Sequence, residues 1–377
     1  MRKSISIVTS VPLTEPVVRN RLFPFFETFI QQGYQVRCVC PQSDFSEEQL
    51  PEGVQLETVQ IEFAKPDSFV RRAMREARDV ATLLKHARSL PDEVILVTLP
   101  SMFLAFLAPV YLRKRRVVMD VRDLSWEYLS DASLLQRLAK GFFRYCFKRS
   151  VHFFQLIAAT NTTEMEYLQR ISPRLNPLHV SNGIRREQFD ALKQIQPSQE
   201  KRFTISYIGN IGLAQQLETL IEAARQLPQY QFNLVGSGID APRVQALVRE
   251  YGLDNVCMTG RVSWEEVQDY YHATHVLYAQ LTPDFSGAMP SKLYEYLSTG
   301  KPVVYGGLGQ AVDTLAQFEQ VVVVPPCQLV QLTEALVQLE GEVAGMQRSE
   351  KNQQAIEYNY IRENAAQLLV NAVDTLF

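Results

Sequence analysis

Short apolar runs alternate with helix-like stretches along the chain, and that alternation constrains the fold more than any other feature. The runs SISIVTS, QVRCVC, VILVTL, RVVMDV and FQLIAAT form a first series, separated by stretches such as RNRLFPFFETFIQQG. A second series follows: FTISYIG, FNLVGSG, VCMTGR, THVLYAQ, PVVYGG and QVVVVPP. Strands alternating with helices over this length predict α/β architecture, with parallel sheets covered on both faces. At 377 residues the chain is long for one core, which predicts two domains. The break falls near VSNGIRREQFDALKQIQPSQEKRF, where Asn-Gly, polar residues and a Pro mark a linker. The expected division is residues 1–183 and residues 184–357. The final helical pattern, within 358–377, is left to pack on either domain, with return to the first as the expectation.

Charge supports the division. Residues 1–180 hold 24 Lys and Arg against 19 Asp and Glu, and residues 181–377 hold 14 against 22, so the halves carry +5 and −8. Ordinary surface variation is the plainer explanation of the same numbers. The 46% hydrophobic and 21% charged content is that of a soluble globular protein. Cys38, Cys40, Cys146, Cys257 and Cys327 show neither a C-x-x-C pair nor a metal spacing, which predicts reduced thiols. The N-terminal MRKSISIVTSVP reads as a first strand and not as a signal peptide. From Val94 to Leu112 no residue is charged, and Arg113-Lys114-Arg115-Arg116 follows, the length and flank of a membrane span. Pro100-Ser101 and Pro109 interrupt it, however, and predict a buried strand, loop and helix instead.

The stretch AMPSKLYEYLSTGKPVV, residues 288–304, carries the sharpest chemical signal. Pro290 and Ser291 mark a helix start, Leu293, Tyr294 and Leu297 an apolar stripe, and Gly300 the helix end. Lys292 stands in the first turn, where the helix dipole disfavours a cation, and Glu295 follows on nearly the same face. A solvated surface lysine is the bland reading. Ligands of α/β sheets sit at the carboxyl ends of strands. Four loops there are short and Gly-rich: Gly209-Asn210-Ile211-Gly212, Gly236-Ser237-Gly238, Gly260-Arg261-Val262 and the loop entering from Thr282. Glycine allows backbone to approach a phosphate or a base, although such loops need glycines for packing as well.

In this order, SNGI, YIGNIG with LETLIEAA, LVGSGID, TGRVSWEEVQDYYHATHV and PSKLYEYLSTGKPVV resemble the second domain of family-4-type glycosyltransferases of GT-B architecture. Upstream, DVRDLSWEYL resembles the D-V-R-D-L-W-P-E segment of a bacterial subgroup that builds surface polysaccharides. RLFPFFETFIQQGYQVRCVC resembles that subgroup's first helix and second strand. The resemblance implies two Rossmann-like, doubly wound parallel-sheet domains facing a cleft, the second binding a nucleotide-sugar. It gives Glu295 the ribose hydroxyls, a bidentate task suited to a carboxylate. It sets Gly236, Gly238, Arg261 and Val262 around the base, and the loop of Gly209, Asn210 and Gly212 among the donor contacts. The helix start at Ser291 would face the diphosphate, where N–H groups and the dipole favour an anion, and Lys292 would suit a phosphate.

The chain also departs from the family pattern. The first of two glutamates separated by seven residues would fall at position 287, which is Gly287, with Asp284 nearby but out of register. The family's basic pair is replaced by Asn210 and Gln215-Gln216, and a family histidine by Arg122. The cationic work would then fall to Lys292, Arg261, and Arg21 or Arg122 of the first domain, with Arg21 a candidate phosphate or acceptor contact. No D-x-D acidic pair is present, which points to metal-free chemistry with the nucleotide-sugar as co-substrate and no other cofactor. Asp123 is the candidate base or acceptor-orienting group, with Arg122 beside it to lower its pKa.

The resemblance implies a retaining transfer to a glycan or lipid-linked acceptor in surface-polysaccharide assembly. The basic amphipathic stretches FVRRAMREARDVATLLKHAR and LLQRLAKGFFRYCFKRSVHFF suit peripheral contact with anionic lipid at the cytoplasmic face. Solvated basic helix faces would look the same. No motif supports nucleic-acid binding. Two other functions fit the same features, a nucleotide-sugar epimerase and a non-catalytic nucleotide-sugar-binding partner subunit.

Overall fold

The structure is a computed structural model describing residues 3–61, 69–99, 101–122, 124, 126, 134–343 and 346–377. It divides into two compact units, Met1–Asn182 with Arg362–Phe377, and Gly183–Ile361. The strands of the first are β1 (Ser4–Thr9), β2 (Gln35–Pro41), β3 (Val54–Val59), β4 (Val94–Thr98), β5 (Arg116–Val121), β6 (Leu156–Ala159) and β7 (Leu178–His179). Between them run α1 (Pro16–Gln31), α2 (Phe69–Ser89), α3 (Met102–Tyr111), α4 (Leu134–Ser150) and α5 (Thr162–Ile171). The strands form one parallel sheet in the order β3-β2-β1-β4-β5-β6-β7.

The second unit repeats the plan. Its strands are β8 (Thr204–Ile208), β9 (Gln231–Val235), β10 (Val256–Gly260), β11 (Val276–Gln280), β12 (Val303–Gly306) and β13 (Val321–Val324). They pair in parallel as β10-β9-β8-β11-β12-β13. Its helices are α6 (Arg186–Leu192), α7 (Glu218–Gln226), α8 (Ala241–Glu250), α9 (Trp264–Ala273) and α10 (Lys292–Thr299). Three more follow, α11 (Gln310–Leu315), α12 (Leu329–Val343) and α13 (Glu350–Asn359). The last helix, α14 (Arg362–Asp374), belongs to the first unit.

Strand β4 illustrates why such runs carry apolar residues at successive positions. All five residues are buried, and the two-residue period of a strand sends them to opposite faces. Ile95 and Val97 pack with Leu83, Leu84 and Phe147, whereas Val94 and Leu96 pack with Phe25, Phe26 and Phe29 of α1. The uncharged segment from Val94 to Leu112 is thus β4 followed by α3, whose Leu104, Ala105 and Ala108 are buried. Among the described residues no helix is long and apolar enough to cross a membrane. Two strands of the first sheet, β3 and β7, were not among the apolar runs. The first is half-exposed along most of its length and both are edge strands, so neither needed a continuous apolar sequence. Helix α14 buries Ala365, Ala366, Leu369, Val370 and Val373 in the same cluster as Phe25 and Phe26, and Asp374 pairs with Lys3 at 2.7 Å. The five cysteines are free thiols, Cys38 and Cys40 buried in β2.

Where the chain enters and leaves the second unit, its two passages lie backbone on backbone. The Ile184 N–H donates to the Tyr360 carbonyl at 2.9 Å. A Cβ at Gly183 would fall 1.8 Å from that oxygen, so only glycine fits.

At the carboxyl edge of the first sheet a charge pair is buried. The Arg21 guanidinium donates to Asp120 at 2.6 and 3.3 Å and to the Ser181 carbonyl at 3.1 Å, while Thr98 donates to Asp120 at 2.9 Å. Arg21 is 4% exposed and Asp120 fully buried, so Arg21 faces inward and its donors are committed to the fold. This corrects the expectation that Arg21 contacts a phosphate or an acceptor. Removing one partner of a buried pair leaves the other charge uncompensated. Asp120→Ala should therefore destabilise the protein by about 3–5 kcal/mol in urea unfolding, whereas Arg21→Met with Asp120→Leu together should cost less than either single change.

Candidate functional site

In the second sheet the strand order reverses between β8 and β11, because β8 is followed by β9 on one side and β11 continues the sheet on the other. Loops diverging from the carboxyl ends at such a switch point open a crevice. The loop after β8 and the entry to α10 both lie there.

The Tyr296 phenol ties helix α10 to the backbone of β8. Tyr296 donates to the Ile208 carbonyl at 3.0 Å and accepts from the Ile208 N–H at 2.8 Å. Leu293, Tyr294, Tyr296 and Leu297 are buried in the core, and Gly300 ends the helix in the left-handed conformation, φ 70°. The helix begins at Lys292, with the exposed Ser291 already in helical conformation and its hydroxyl making no cap bond. Ser291 is therefore not the side-chain cap that its type suggests. The first helix carbonyls accept from Leu293 and Tyr294 at 3.1 Å each, so the amides of Ser291 and Lys292 have no intrahelical acceptor.

Lys292 and Glu295 leave this helix in the same direction. The Lys292 amine lies 3.9 Å from the ring centroid of Tyr207, on β8, and donates to its hydroxyl. That hydroxyl in turn donates to the Asn210 carbonyl. Burial pushes the Lys292 amine down to about 7, against the opposing pull of Glu295, and raises the Tyr207 phenol. Glu295 accepts from the buried Tyr271 hydroxyl at 3.2 Å. The acid and the amine thus stand at the crevice on a helix whose other face is core.

The glycines of the loops have packing reasons. A Cβ at Gly209 would lie 2.7 Å from the Lys292 amine. One at Gly236 would meet the Gly209 carbonyl at 2.0 Å, and one at Gly238 the Ile211 carbonyl at 2.2 Å. The β8 and β9 loops therefore touch backbone to backbone, tied by Gly209 N–H to Val235 O at 2.8 Å and Ile211 N–H to Ser237 O at 2.9 Å. Gly212 donates to the Gln215 side chain at 3.1 Å. Among the described residues no protein acceptor takes the Asn210 N–H, and Asn210 is exposed. Gly260, φ 72°, accepts from Gly236 at 2.9 Å and turns the chain so that Arg261 is exposed and Val262 joins the core rim.

Gln215 and Gln216, which stand where a basic pair was sought, hold the loop together. Buried Gln280 donates to both their carbonyls at 3.0 Å, and the Cys327 thiol donates to the Gln216 side chain at 3.2 Å. The structure thus brings together Gly209, Asn210, Gly212, Gly236, Gly238, Lys292 and Glu295, with Ser291 at their edge. Arg122 belongs to the other unit, where it is half-buried and donates to the Val17 carbonyl at 3.1 Å. Asp123 lies outside the described residues. Tyr207, Tyr271 and Gln280 were missed by sequence reading. For Tyr207 a signal existed: a phenol inside an apolar strand must find a polar partner when buried.

Two parallel-sheet units of this kind in one chain constitute the GT-B fold. Residues 188–362, nearly the whole second unit, match the family model described as Glycosyl transferases group 1. A putative teichuronic acid biosynthesis glycosyltransferase, TuaH, of Bacillus subtilis (strain 168) is 32% identical over 133 residues. That match spans 33% of this chain and 33% of the relative. Among solved structures, sucrose-phosphate synthase from Thermosynechococcus elongatus superposes with TM-score 0.75 at 19% identity, covering 100% of this chain and 99% of the other. Anabaena Alr3699/HepE in complex with UDP superposes with TM-score 0.71 at 14% identity, covering 99% of this chain and 100% of the other.

The depressed Lys292 amine has a consequence for stability. Between pH 7 and its ordinary value of 10.5 the unfolded chain holds a proton there that the folded chain does not. Stability then rises with pH through this window, by up to about 1.4 kcal/mol per pH unit. Between pH 7.5 and 9, Lys292→Met should gain less stability than the parent by up to about 2 kcal/mol, read from urea unfolding at each pH.

Proposed function

We propose that the protein is a glycosyltransferase that moves a sugar from a nucleoside-diphosphate sugar to a glycan or lipid-linked acceptor in surface-polysaccharide assembly. The observation that carries this reading is the pairing of Lys292 and Glu295 on one helix at the switch point of the second sheet. Glu295, held by Tyr271, takes the two ribose hydroxyls. The amides of Asn210, Ser291 and Lys292, with the Lys292 amine, receive the diphosphate. Gly236, Gly238 and the backbone of Arg261 and Val262 line the base. When the glycosidic bond to the diphosphate breaks, negative charge grows on the leaving oxygen, and these donors stabilise it without a metal ion. Binding of a diphosphate restores the proton on Lys292, since an anion beside a buried amine favours its charged form. Retention of configuration and the role of Asp123 and Arg122 in handling the acceptor proton belong to the same proposal. The relative named for teichuronic acid biosynthesis and the UDP complex of the fold neighbour support a polysaccharide acceptor and a uridine donor.

A thermal-shift titration with UDP, GDP, ADP, CMP and dTDP tests the donor site. One nucleotide at a hundredfold excess over its Kd should stabilise by about 2.7 kcal/mol, and Glu295→Ala should abolish the shift. With that nucleotide's sugar conjugate and an acceptor, Lys292→Met should lower kcat by about 10²–10³. No response to any nucleotide would overturn the proposal. Turnover at full rate without an acceptor would identify an epimerase, and binding without nucleotide release a partner subunit.

The proposal extends to where the acceptor is met. Helix α4 exposes Leu138, Phe142 and Tyr145 at 64, 61 and 59%, one helical face at successive turns, among exposed Arg137, Arg144, Lys148 and Arg149. Apolar side chains rimmed by cations suit insertion at an anionic lipid surface, and a cytoplasmic enzyme would meet a lipid-linked acceptor there. Vesicles containing phosphatidylglycerol should sediment the protein and neutral vesicles should not. Arg144→Glu with Lys148→Glu should weaken that binding at least about tenfold.

A further inference from the structure

The second sheet has another end. At the amino edge of β8, β11 and β12, opposite the donor loops, lies a cavity of about 420 Å³ within the second unit. Three cations line it, Lys201, Lys301 and Arg348, together with His275, Phe203 and a single acid, Glu340. The acid accepts from the neutral Tyr230 hydroxyl at 2.5 Å and keeps its charge, so the lining cations still outnumber the acid by three to one.

Lys301 is the built element. It is 3% exposed and stands between Gly300, which ends α10, and β12. Its amine donates to the carbonyls of Thr274 at 2.6 Å and His272 at 3.1 Å, at the carboxyl end of α9. Those carbonyls bear partial charge only, and among the described residues no carboxylate forms an ion pair with this amine. Burial and the nearby Arg348 push the amine down to about 7. A buried ammonium with two of three N–H groups used, beside a second cation, is short of a full negative charge.

The other groups agree. One nitrogen of Arg348 donates to the carbonyls of Lys193 at 2.8 Å and Ile195 at 2.6 Å, which fixes its fork at the cavity wall and leaves its remaining N–H groups without a protein acceptor among the described residues. The Thr204 N–H donates to His275 Nδ1 at 3.1 Å, so the neutral imidazole carries its proton on Nε2 and is a donor there. Lys201 is exposed at the rim. The Phe203 ring lies 5.4 Å from that of His275 and supplies an apolar wall.

We propose that this cavity binds a small phosphate-bearing or carboxylate-bearing anion, at a site separate from the donor crevice. The strands between the two ends are five residues long in β8, which sets the sites about 17 Å apart. The anion supplies the missing counter-charge to Lys301 and Arg348, and by bridging α9, α10 and the segment after α6 it stiffens the second unit. The volume lies in the range of small-molecule sites.

The test is thermal unfolding of the full chain in sodium phosphate, sodium citrate and sodium chloride at equal ionic strength, without nucleotide. A saturable rise of about 3 °C in phosphate or citrate over chloride is expected at tenfold excess over Kd. The shift should persist in Lys292→Met and disappear in Lys201→Glu, an exposed position whose substitution leaves the core intact, and in Lys301→Met where that variant folds. The better of the two ions identifies the anion class. A shift lost in Lys292→Met but kept in Lys201→Glu would place the anion at the donor loops and overturn the proposal. So would equal melting in all three salts.

Discussion

Parallel strands cannot be joined by tight turns, and a parallel sheet has no face that water can cover cheaply. Both units obey that constraint. Every connection is a helix or a long excursion, both faces of each sheet are sealed by clusters of aliphatic and aromatic side chains, and the carboxyl ends all point one way. The loops at that edge are therefore crowded together whether or not they bind anything. Where β8 and β9 end, the crowding reaches backbone contact, and Gly236 and Gly238 are present because any side chain would strike the neighbouring carbonyl.

Against that scaffold Lys292 is a local conflict. A cation in a first helical turn opposes the dipole, and its amine is removed from water beside a phenol and its ring, with Glu295 of the same helix the carboxylate that acts on it. Tyr207 and Asn210 are the means by which the fold tolerates it. Departures from local consistency of this kind gather at functional sites, since an arrangement that suits a ligand need not suit the empty protein. The Arg21–Asp120 pair has the opposite character. Its charges are matched and enclosed, and it holds α1 to β5 and to the chain just before the first unit ends.

Two lysines whose amines are held away from water thus bracket α10, the half-buried Lys292 at its start and the buried Lys301 just past its end. Each lies near a helix terminus, but with different consequences. Lys292 meets the positive end of its own helix, an unfavourable placement that Glu295 of the same helix offsets only in part. Lys301 meets the carbonyls that end α9, which satisfies two of its hydrogens and only part of its charge.

Much of this was legible in the chain alone. All six runs of the second series became strands: β8, β9, β11 and β12 because a strand buried on both faces must be apolar along its length, and the edge strands β10 and β13 because valine and its neighbours there keep a strand-forming sequence although the strands are only partly buried. Pro290 and Gly300 bounded α10 for equally local reasons, φ preference and the left-handed terminus. The edge strands β3 and β7 were not legible, since a strand with one free edge can be short or half polar. Nor could sequence reveal that Arg21 faces inward, that Gln215 and Gln216 bind their own loop, or that Tyr207 lies under Lys292. Each of those outcomes depends on which groups the fold brings within hydrogen-bond distance across tens of residues of chain. The sequence by itself determined the apolar strands, the bounds of α10 and the chemical types gathered near the crevice. Tertiary structure alone decided which of those charges were spent on the fold and which stand at the crevice, because burial and pairing are properties of neighbours in space.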